Sequence, residues 1–285
     1  IGVRESLKLS AIYISLGVGF AGFVWWQMDL EAAKLYLTAF VVEKTLAMDN
    51  VFVIALIFTT FAIPREYQHR VLFWGILGVI VLRGLMIGLG AALVAEYHWV
   101  LYIFAAFLVF TGIKMMVTDD QHLDISGNPV LRVLKRRLNV TEGLRGNAFF
   151  VREPSARGGK LVTHATPLFL ALVMVELADL VFAVDSVPAV FAITTDTFIV
   201  YTSNIFAILG LRALYFALAA IIHRFHYLKY ALAALLVFIG SKIFVADLMG
   251  WEKFPANWSL MITFGLLGAG VAWSLWKTRR TALEG

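Results

Sequence analysis

Eight apolar stretches, each long enough to cross a bilayer, dominate the hydropathy pattern of the chain. They lie at residues 9–27, 35–62, 71–95, 99–117, 167–194, 198–222, 228–247 and 259–276. A membrane-spanning helix needs about 20 mostly apolar residues. Trp and Tyr cluster near the ends of many stretches, as they do at membrane interfaces. The pattern therefore predicts an all-α, polytopic membrane helix bundle. A further span before Ile1 stays open, because the sequence does not begin with Met.

Composition agrees with this class. Of the 285 residues, 61% are hydrophobic and 15% are charged, whereas a soluble domain is roughly a quarter charged. The sequence has no cysteine, which excludes disulfides and thiolate metal sites. No catalytic triad, phosphate-binding loop or cofactor motif is visible, so neither an enzyme nor a resident cofactor is expected.

The basic residues predict how the chain is oriented in the membrane. If the spans alternate sides, 17 Lys and Arg residues outside the spans fall on one side, and only Lys34 and Lys253 fall on the other. Basic loops stay in the cytoplasm, so the long loop after residue 118 and the C-terminus are predicted to be cytoplasmic. The basic charge thus predicts membrane lipid as a partner. No nucleic-acid motif accompanies it.

Three sequence blocks recur in order along the chain. Residues 43–52 match 179–188, residues 81–85 match 210–214, and residues 108–114 match 236–242, at offsets of 136, 129 and 128. Each copy contains three spans. Because three is odd and the intervening loop begins and ends on one side, the second copy is predicted to run inverted. Inverted repeats are typical of secondary transporters, whose substrate site lies between the repeats near the midplane.

This repeat gives a five-part organisation. It comprises a peripheral N-terminal transmembrane helix (1–30), repeat 1 (31–118), a basic cytoplasmic loop (119–166), an inverted repeat 2 (167–250), and a C-terminal transmembrane helix with its tail (251–285). Within the loop, residues 129–138 alternate apolar and basic side chains at helical spacing, which predicts an amphipathic helix. That helix could lie on the membrane or serve as a solvated linker. Residues 148–151 and 160–163 predict a small hairpin.

Five acidic residues interrupt the apolar spans, and a charge at that depth is costly enough to indicate a function. An amide or hydroxyl residue directly follows two of the aspartates. These side chains offer only oxygen ligands, which suit hard divalent cations such as Mn²⁺, Ca²⁺ or Mg²⁺. The predicted metal ligands are Glu43, Asp49, Asn50, Glu176, Asp179, Asp185 and Ser186.

Basic residues within the spans are predicted to compensate these acids, namely Lys44, Arg83 and Arg212. Asp49 and Asp185 are the predicted central ligands, with Glu43 toward the outer side and Glu176 and Asp179 toward the inner side. Interrupted helices are expected around 49–51 and 185–188, where side chains compete for backbone hydrogen bonds and Pro188 removes a donor. The alternative, in which the acids and bases are only buried structural ion pairs, stays open.

These same residues resemble a known family. The segment from Glu43 through Asp49-Asn50-Val51-Phe52 and the segment from Glu176 to Ala189 are similar to the paired signatures of the TerC family, the tellurium-resistance C-type membrane proteins that include the alkali-inducible Alx type. The similarity extends over about residues 30 to 250. It implies manganese export from the bacterial cytoplasm through the inner membrane, with the five acids forming the metal pathway.

Without the resemblance, the residues indicate only a carrier of a hard cation, so several alternatives remain. The cargo could be Ca²⁺ instead of Mn²⁺, and protons are a candidate counter-ion. A membrane scaffold that assists metal delivery or tellurite resistance is the alternative from another functional class. A homo-oligomer is compatible with the sequence.

Overall fold

The structure is a computed structural model that describes residues 3–117, 128–154, 161–218, 228–252 and 254–281. Some side chains within these ranges lie outside the description, among them that of Asp49. The prediction that Asp49 is a central ligand therefore falls outside the described residues.

Helices make up almost all of the described chain, with one antiparallel hairpin between them. In chain order the elements are α1 (Val3–Gln27), α2 (Leu30–Thr60), α3 (Arg65–Glu96), α4 (Val100–Val117), α5 (Pro129–Arg137), β1 (Phe150–Pro154), β2 (Leu161–Ala165), α6 (Pro167–Ile193), α7 (Thr197–Ile208), α8 (Leu211–Leu218), α9 (Leu228–Leu248) and α10 (Ala256–Thr281).

The predicted polytopic helical membrane protein is confirmed. Among the described residues, seven helical segments are long and apolar enough to cross a membrane. The remaining predicted span coincides with α2, in which every stretch of 18 residues holds at least three charged residues, among them Glu43 and Lys44. Large apolar side chains such as Trp26 and Leu89 are exposed on the outside of the bundle. Lipid would cover them in a membrane.

The predicted helix interruptions are wrong. Both α2 and α6 continue as helix through residues 49–51 and 185–188, and Pro188 lies inside α6. The side chain of Asn50 donates its hydrogen bond to Asp179, so it does not compete for nearby backbone groups. The helix break lies instead between α7 and α8, where Gly210 has φ of 81°. Glycine adopts this left-handed conformation without a steric penalty.

The helix and hairpin predicted within the long loop are confirmed, as α5 and β1–β2. Leu131 of α5 is buried in the same apolar cluster as Leu168 of α6. The rings of Phe150 in β1 and Phe169 in α6 lie 4.5 Å apart. The described part of the loop therefore packs on the beginning of α6 and does not extend from the bundle as a free linker.

Two glycines allow α4 and α9 to pack closely. A Cβ added at Gly112 would lie 2.6 Å from the carbonyl oxygen of Ala233, and one added at Gly240 would lie 2.5 Å from that of Ala105. The two contacts are equivalent in the repeat, because Gly112 corresponds to Gly240 and Ala105 to Ala233 at the offset of 128. The contacts also pair an early residue of one helix with a late residue of the other, so the two helices run antiparallel.

The other repeat elements pack in the same reciprocal way. Helix α2 contacts α6, and the contact of α3 with α6 is matched by that of α7 with α2. This exchange is the packing that a two-fold relation between the repeats produces. The packing agrees with the predicted inverted repeat. The inversion of repeat 2 relative to repeat 1 stays a prediction.

Candidate functional site

A buried ion-pair cluster joins α2, α3 and α6. The Arg83 guanidinium of α3 donates from Nη1 to Glu43 Oε2 at 2.8 Å. It also donates from Nη2 to Asp179 Oδ1 at 2.9 Å and from Nε to Asp179 Oδ2 at 3.1 Å. All three residues are buried. Arg83 thus holds Asp179 in bidentate geometry, the arrangement that its planar fork favours.

Amide side chains complete the surroundings of the two carboxylates. Asn50 Nδ2 donates to Asp179 Oδ1 at 2.9 Å, so this oxygen accepts two hydrogen bonds. Asn204 of α7 lies close to Glu43, but Glu43 Oε1 and Asn204 Nδ2 have no hydrogen-bond partner of normal geometry. If both carboxylates are ionised, their two negative charges exceed the single positive charge of Arg83.

Glu176 lies close to this cluster. It precedes Asp179 by about one turn of α6, and a Cβ added at Gly78 of α3 would overlap its carboxylate. The glycine therefore makes room for the acid. Glu176 Oε2 is buried and has no hydrogen-bond partner, and the same holds for Ser186 Oγ.

Four predicted ligands consequently carry a buried oxygen atom without a partner, namely Glu43 Oε1, Asn50 Oδ1, Glu176 Oε2 and Ser186 Oγ. Buried polar atoms are almost always paired in folded proteins. An arrangement with several unpaired acceptors and an excess of carboxylates can bind a cation or protons.

Asp185 does not join the Arg83 cluster. Its half-buried side chain lies beside Thr111 and Lys114 of α4. Among the described side chains, no three carboxylates or imidazoles converge closely enough to hold a metal ion. The structure therefore brings together Glu43, Asn50 and Asp179, places Glu176 next to them, and leaves Asp185 at α4.

Sequence comparison assigns the chain to a family. The profile of the family described as "Integral membrane protein TerC family" matches residues 28–282. This chain belongs to the TerC family.

TerC relatives cover nearly the whole chain. An "Uncharacterized membrane protein STKORF319" of Myxococcus xanthus is 44% identical over 97% of this chain and 84% of its own length. An "Uncharacterized membrane protein" of Rickettsia bellii is 46% identical over 94% of this chain and 86% of its own. The "Putative membrane-bound redox modulator Alx" of Escherichia coli K12 is 45% identical over 93% of this chain and 82% of its own. No solved structure matches the chain.

The basic residues predicted to compensate the acids behave differently in this TerC family member. Arg83 pairs with two of the acids. Lys44 Nζ instead donates to the backbone carbonyls of Ala207, at 3.0 Å, and Leu209, at 3.2 Å. Among the described side chains, no ion pair joins Arg212 to the predicted acids. Its compensating role stays a prediction.

Glu43 and Asp179 converge on one guanidinium, although Glu43 was expected toward the outer side and Asp179 toward the inner side. Their relative depth in the membrane stays a prediction. Arg83 causes this convergence, because the reach of its side chain from α3 draws the two acids toward one point. The sequence pattern alone does not show that reach.

Sequence reasoning missed Asn204, which is buried beside Glu43. The sequence does mark this position. Within the apolar stretch 198–222, three consecutive uncharged polar residues occur only once, at Thr202, Ser203 and Asn204. Tyr201, directly before this polar triplet, donates a hydrogen bond from its hydroxyl to the carbonyl of Gly84 at 2.8 Å. This bond connects α7 to α3.

Proposed function

We propose that this protein exports divalent metal cations, with Mn²⁺ as the cargo, across the bacterial inner membrane by alternating access at its buried carboxylates. The observation that carries the proposal is the set of three unpaired oxygen atoms, on Glu43, Asn50 and Glu176, beside an ion-pair cluster with more acids than bases. Carboxylate, amide and hydroxyl oxygens are ligands for hard divalent cations. TerC family membership agrees with a membrane function related to ions.

Arg83 would act as the resident positive charge when no cargo is bound. A divalent cation near Glu43 and Asp179 would compete with the guanidinium for the same oxygens. Because the acids are divided between Arg83 and α4 in this structure, cargo binding would need a second arrangement of the helices, as alternating access provides. Protons returning to the carboxylates would weaken their hold on the cation, which makes protons the proposed counter-ion.

Purified protein in liposomes tests this proposal, with Mn²⁺ flux measured by a metal-sensitive dye inside the vesicles. We expect Glu43→Gln, Asp179→Asn and Asp185→Asn each to reduce the flux at least about tenfold, the effect of losing about 1.4 kcal/mol of interaction with the ion. Glu142→Gln is the matched control, since Glu142 is an exposed acid in the loop. Size-exclusion profiles identify any variant that fails to fold. Unchanged flux in all three folded variants would overturn the site assignment.

The choice of Mn²⁺ over Ca²⁺ is tested in the same vesicles. External Ca²⁺ at a hundredfold excess should leave Mn²⁺ flux nearly unchanged if Mn²⁺ is the cargo. Strong competition would instead favour a carrier of hard cations with Ca²⁺ as substrate. The Escherichia coli relative is named a redox modulator, but thiols cannot supply redox chemistry within these 285 residues, because they contain no cysteine.

A membrane scaffold is the rival function, because α5 presents basic side chains that could dock a partner. Deleting the loop does not separate the two functions cleanly, since Leu131 belongs to the buried core. Changing Arg132, Lys135, Arg136 and Arg137 to Gln removes the basic surface and keeps the apolar contacts. A carrier should retain Mn²⁺ flux in this variant. Metal resistance lost in cells with flux intact in liposomes would favour the scaffold.

A further inference from the structure

A cavity of about 660 Å³ lies between the ends of α2, α3 and α8. Its lining includes Phe58, Thr59, Arg65, Gln68, His69 and Tyr215. It opens to the surface, because Thr59, Arg65 and His69 are exposed. The loop between α2 and α3 forms its rim, and the distribution of basic residues predicts a cytoplasmic position for that loop. Since one water occupies about 30 Å³, the cavity has room for a cation with its hydration shell.

A narrow apolar layer separates this cavity from the Arg83 cluster. Its side chains are Ile54, Leu72 and Leu211, all buried. They line a void of about 10 Å³ that also touches Asn50 and Asp179. That volume is at the lower limit for one water molecule, so the layer has no room for a hydrated ion.

Helical spacing aligns the cavity, the barrier and the site. On α2, Asn50 of the site, Ile54 of the barrier and Phe58 of the cavity follow at intervals of four residues, so they lie along one helix face. On α8, Leu211 of the barrier and Tyr215 of the cavity repeat the same interval. A path along these faces would lead from the cavity to the buried acids.

One side-chain hydrogen bond holds α8 against α3 at the floor of the cavity. Tyr215 donates its hydroxyl to Gln68 Oε1 at 3.1 Å, and Gln68 Nε2 donates to the carbonyl of Ile63 at 2.9 Å. The Tyr215 ring also packs edge-on against Phe58, with ring centroids 5.5 Å apart.

The helical backbone is interrupted directly before α8. Gly210 has φ of 81° and separates α8 from α7. Lys44 of α2 binds the carbonyls of Ala207 and Leu209, so the end of α7 stays fixed to α2. A turn of α8 about Gly210 would therefore leave these carbonyls paired.

We infer that the cavity is the vestibule from which a hydrated divalent cation reaches the buried carboxylates, and that α8 is its gate. Leu211 closes the path, and the bond between Tyr215 and Gln68 holds the gate shut. This inference rests on the proposed transport function, and it assigns the state seen here as closed toward the cytoplasm.

The absence of cysteine allows a test by thiol labelling. Ile54→Cys places a single thiol in the barrier, and its reaction with a membrane-impermeant maleimide is followed in inside-out vesicles. Adding Tyr215→Phe removes the hydroxyl but keeps the ring, so labelling should become about three- to tenfold faster, as expected when one hydrogen bond is lost. Ile87→Cys is the matched control, since Ile87 is equally buried but belongs to a different apolar cluster. An unchanged rate at position 54 would overturn the gate.

A reversible bridge across the gate tests its part in transport. Gln68→Cys with Tyr215→Cys, joined by a short bifunctional methanethiosulfonate, should stop Mn²⁺ flux, and a reductant should restore it. The control pair Arg145→Cys with Glu153→Cys lies on the exposed loop, and bridging it should leave flux unchanged.

The two proposals fail in distinguishable ways. If Tyr215→Phe exposes the thiol at position 54 but the unmodified protein moves no Mn²⁺, the gate stands and the transport proposal is wrong. If the unmodified protein moves Mn²⁺ and neither the labelling rate nor the bridge has an effect, the gate is wrong and transport stands.

Discussion

Arg83 determines how Glu43 and Asp179 are arranged. Because this cluster is buried, the two carboxylates depend on the positive charge of Arg83. Its guanidinium contacts Glu43 and Asp179 in a region shielded from water. A buried ion pair contributes little net stability compared with an apolar replacement, but removing one partner leaves a costly unpaired charge. The sequence identified these three residues as functional candidates. It could not show their grouping, because that depends on side-chain reach between helices distant in sequence.

Replacing Arg83 alone should destabilise the protein strongly. We expect Arg83→Gln to lower the free energy of unfolding by about 3–5 kcal/mol, the cost of leaving buried carboxylates unpaired. Combining it with Glu43→Gln and Asp179→Asn should recover part of that loss, since no net charge then remains in the cluster. Denaturation of the purified protein in detergent measures both. Arg145→Gln, which breaks an exposed ion pair with Glu153, is the control and should change little. A triple variant no more stable than Arg83→Gln would contradict this account.

At the scale of elements, the sequence predicted spans well and helix breaks poorly. Span positions follow from local hydropathy, because a run of apolar residues is itself the property that a bilayer selects. The break was expected where Asp and Asn compete for the backbone, yet Asn50 finds a partner 129 residues away in Asp179. At the observed break before α8, Lys44 of another helix donates to the carbonyls of Ala207 and Leu209. Such long-range partners cannot be deduced from local propensity.

The reciprocal packing of α4 and α9 gives a prediction at this scale. Gly112→Ala and Gly240→Ala should each lower the free energy of unfolding by about 1–3 kcal/mol, because the added methyl groups would force apart two tightly packed backbones. The two losses should be similar, since the contacts are exchanged by the repeat offset. Gly84→Ala is the control, as no atom lies within 4 Å of its added Cβ. Unfolding in detergent reports all three. A large loss at only one of the two glycines would argue against the two-fold relation.

At the scale of the whole molecule, the predicted ligands form no single shell in the described structure. The five acids were expected to form one pathway across the membrane, with Asp49 and Asp185 at its centre. Glu43 and Asp179 instead share one guanidinium, whereas Asp185 faces α4. A sequence shows which charged residues are energetically costly to bury in a membrane. It does not show which of them contact each other, and that grouping can change between conformations of one fold. The vestibule likewise had no sequence signal, because it is formed by the ends of three helices from both repeats.

The direction of the proposed export depends on how the molecule lies in the membrane. The basic residues predict a cytoplasmic position for α5 and an outer position for the beginning of α2. Because the chain has no cysteine, Arg136→Cys and Glu31→Cys each introduce one exposed thiol. In intact cells, an impermeant maleimide should label position 31 directly but position 136 only after permeabilisation. The vestibule lies on the same side as α5 by this orientation. The opposite labelling pattern would turn the vestibule outward, and α8 would then control release of the cargo instead of its uptake from the cytoplasm.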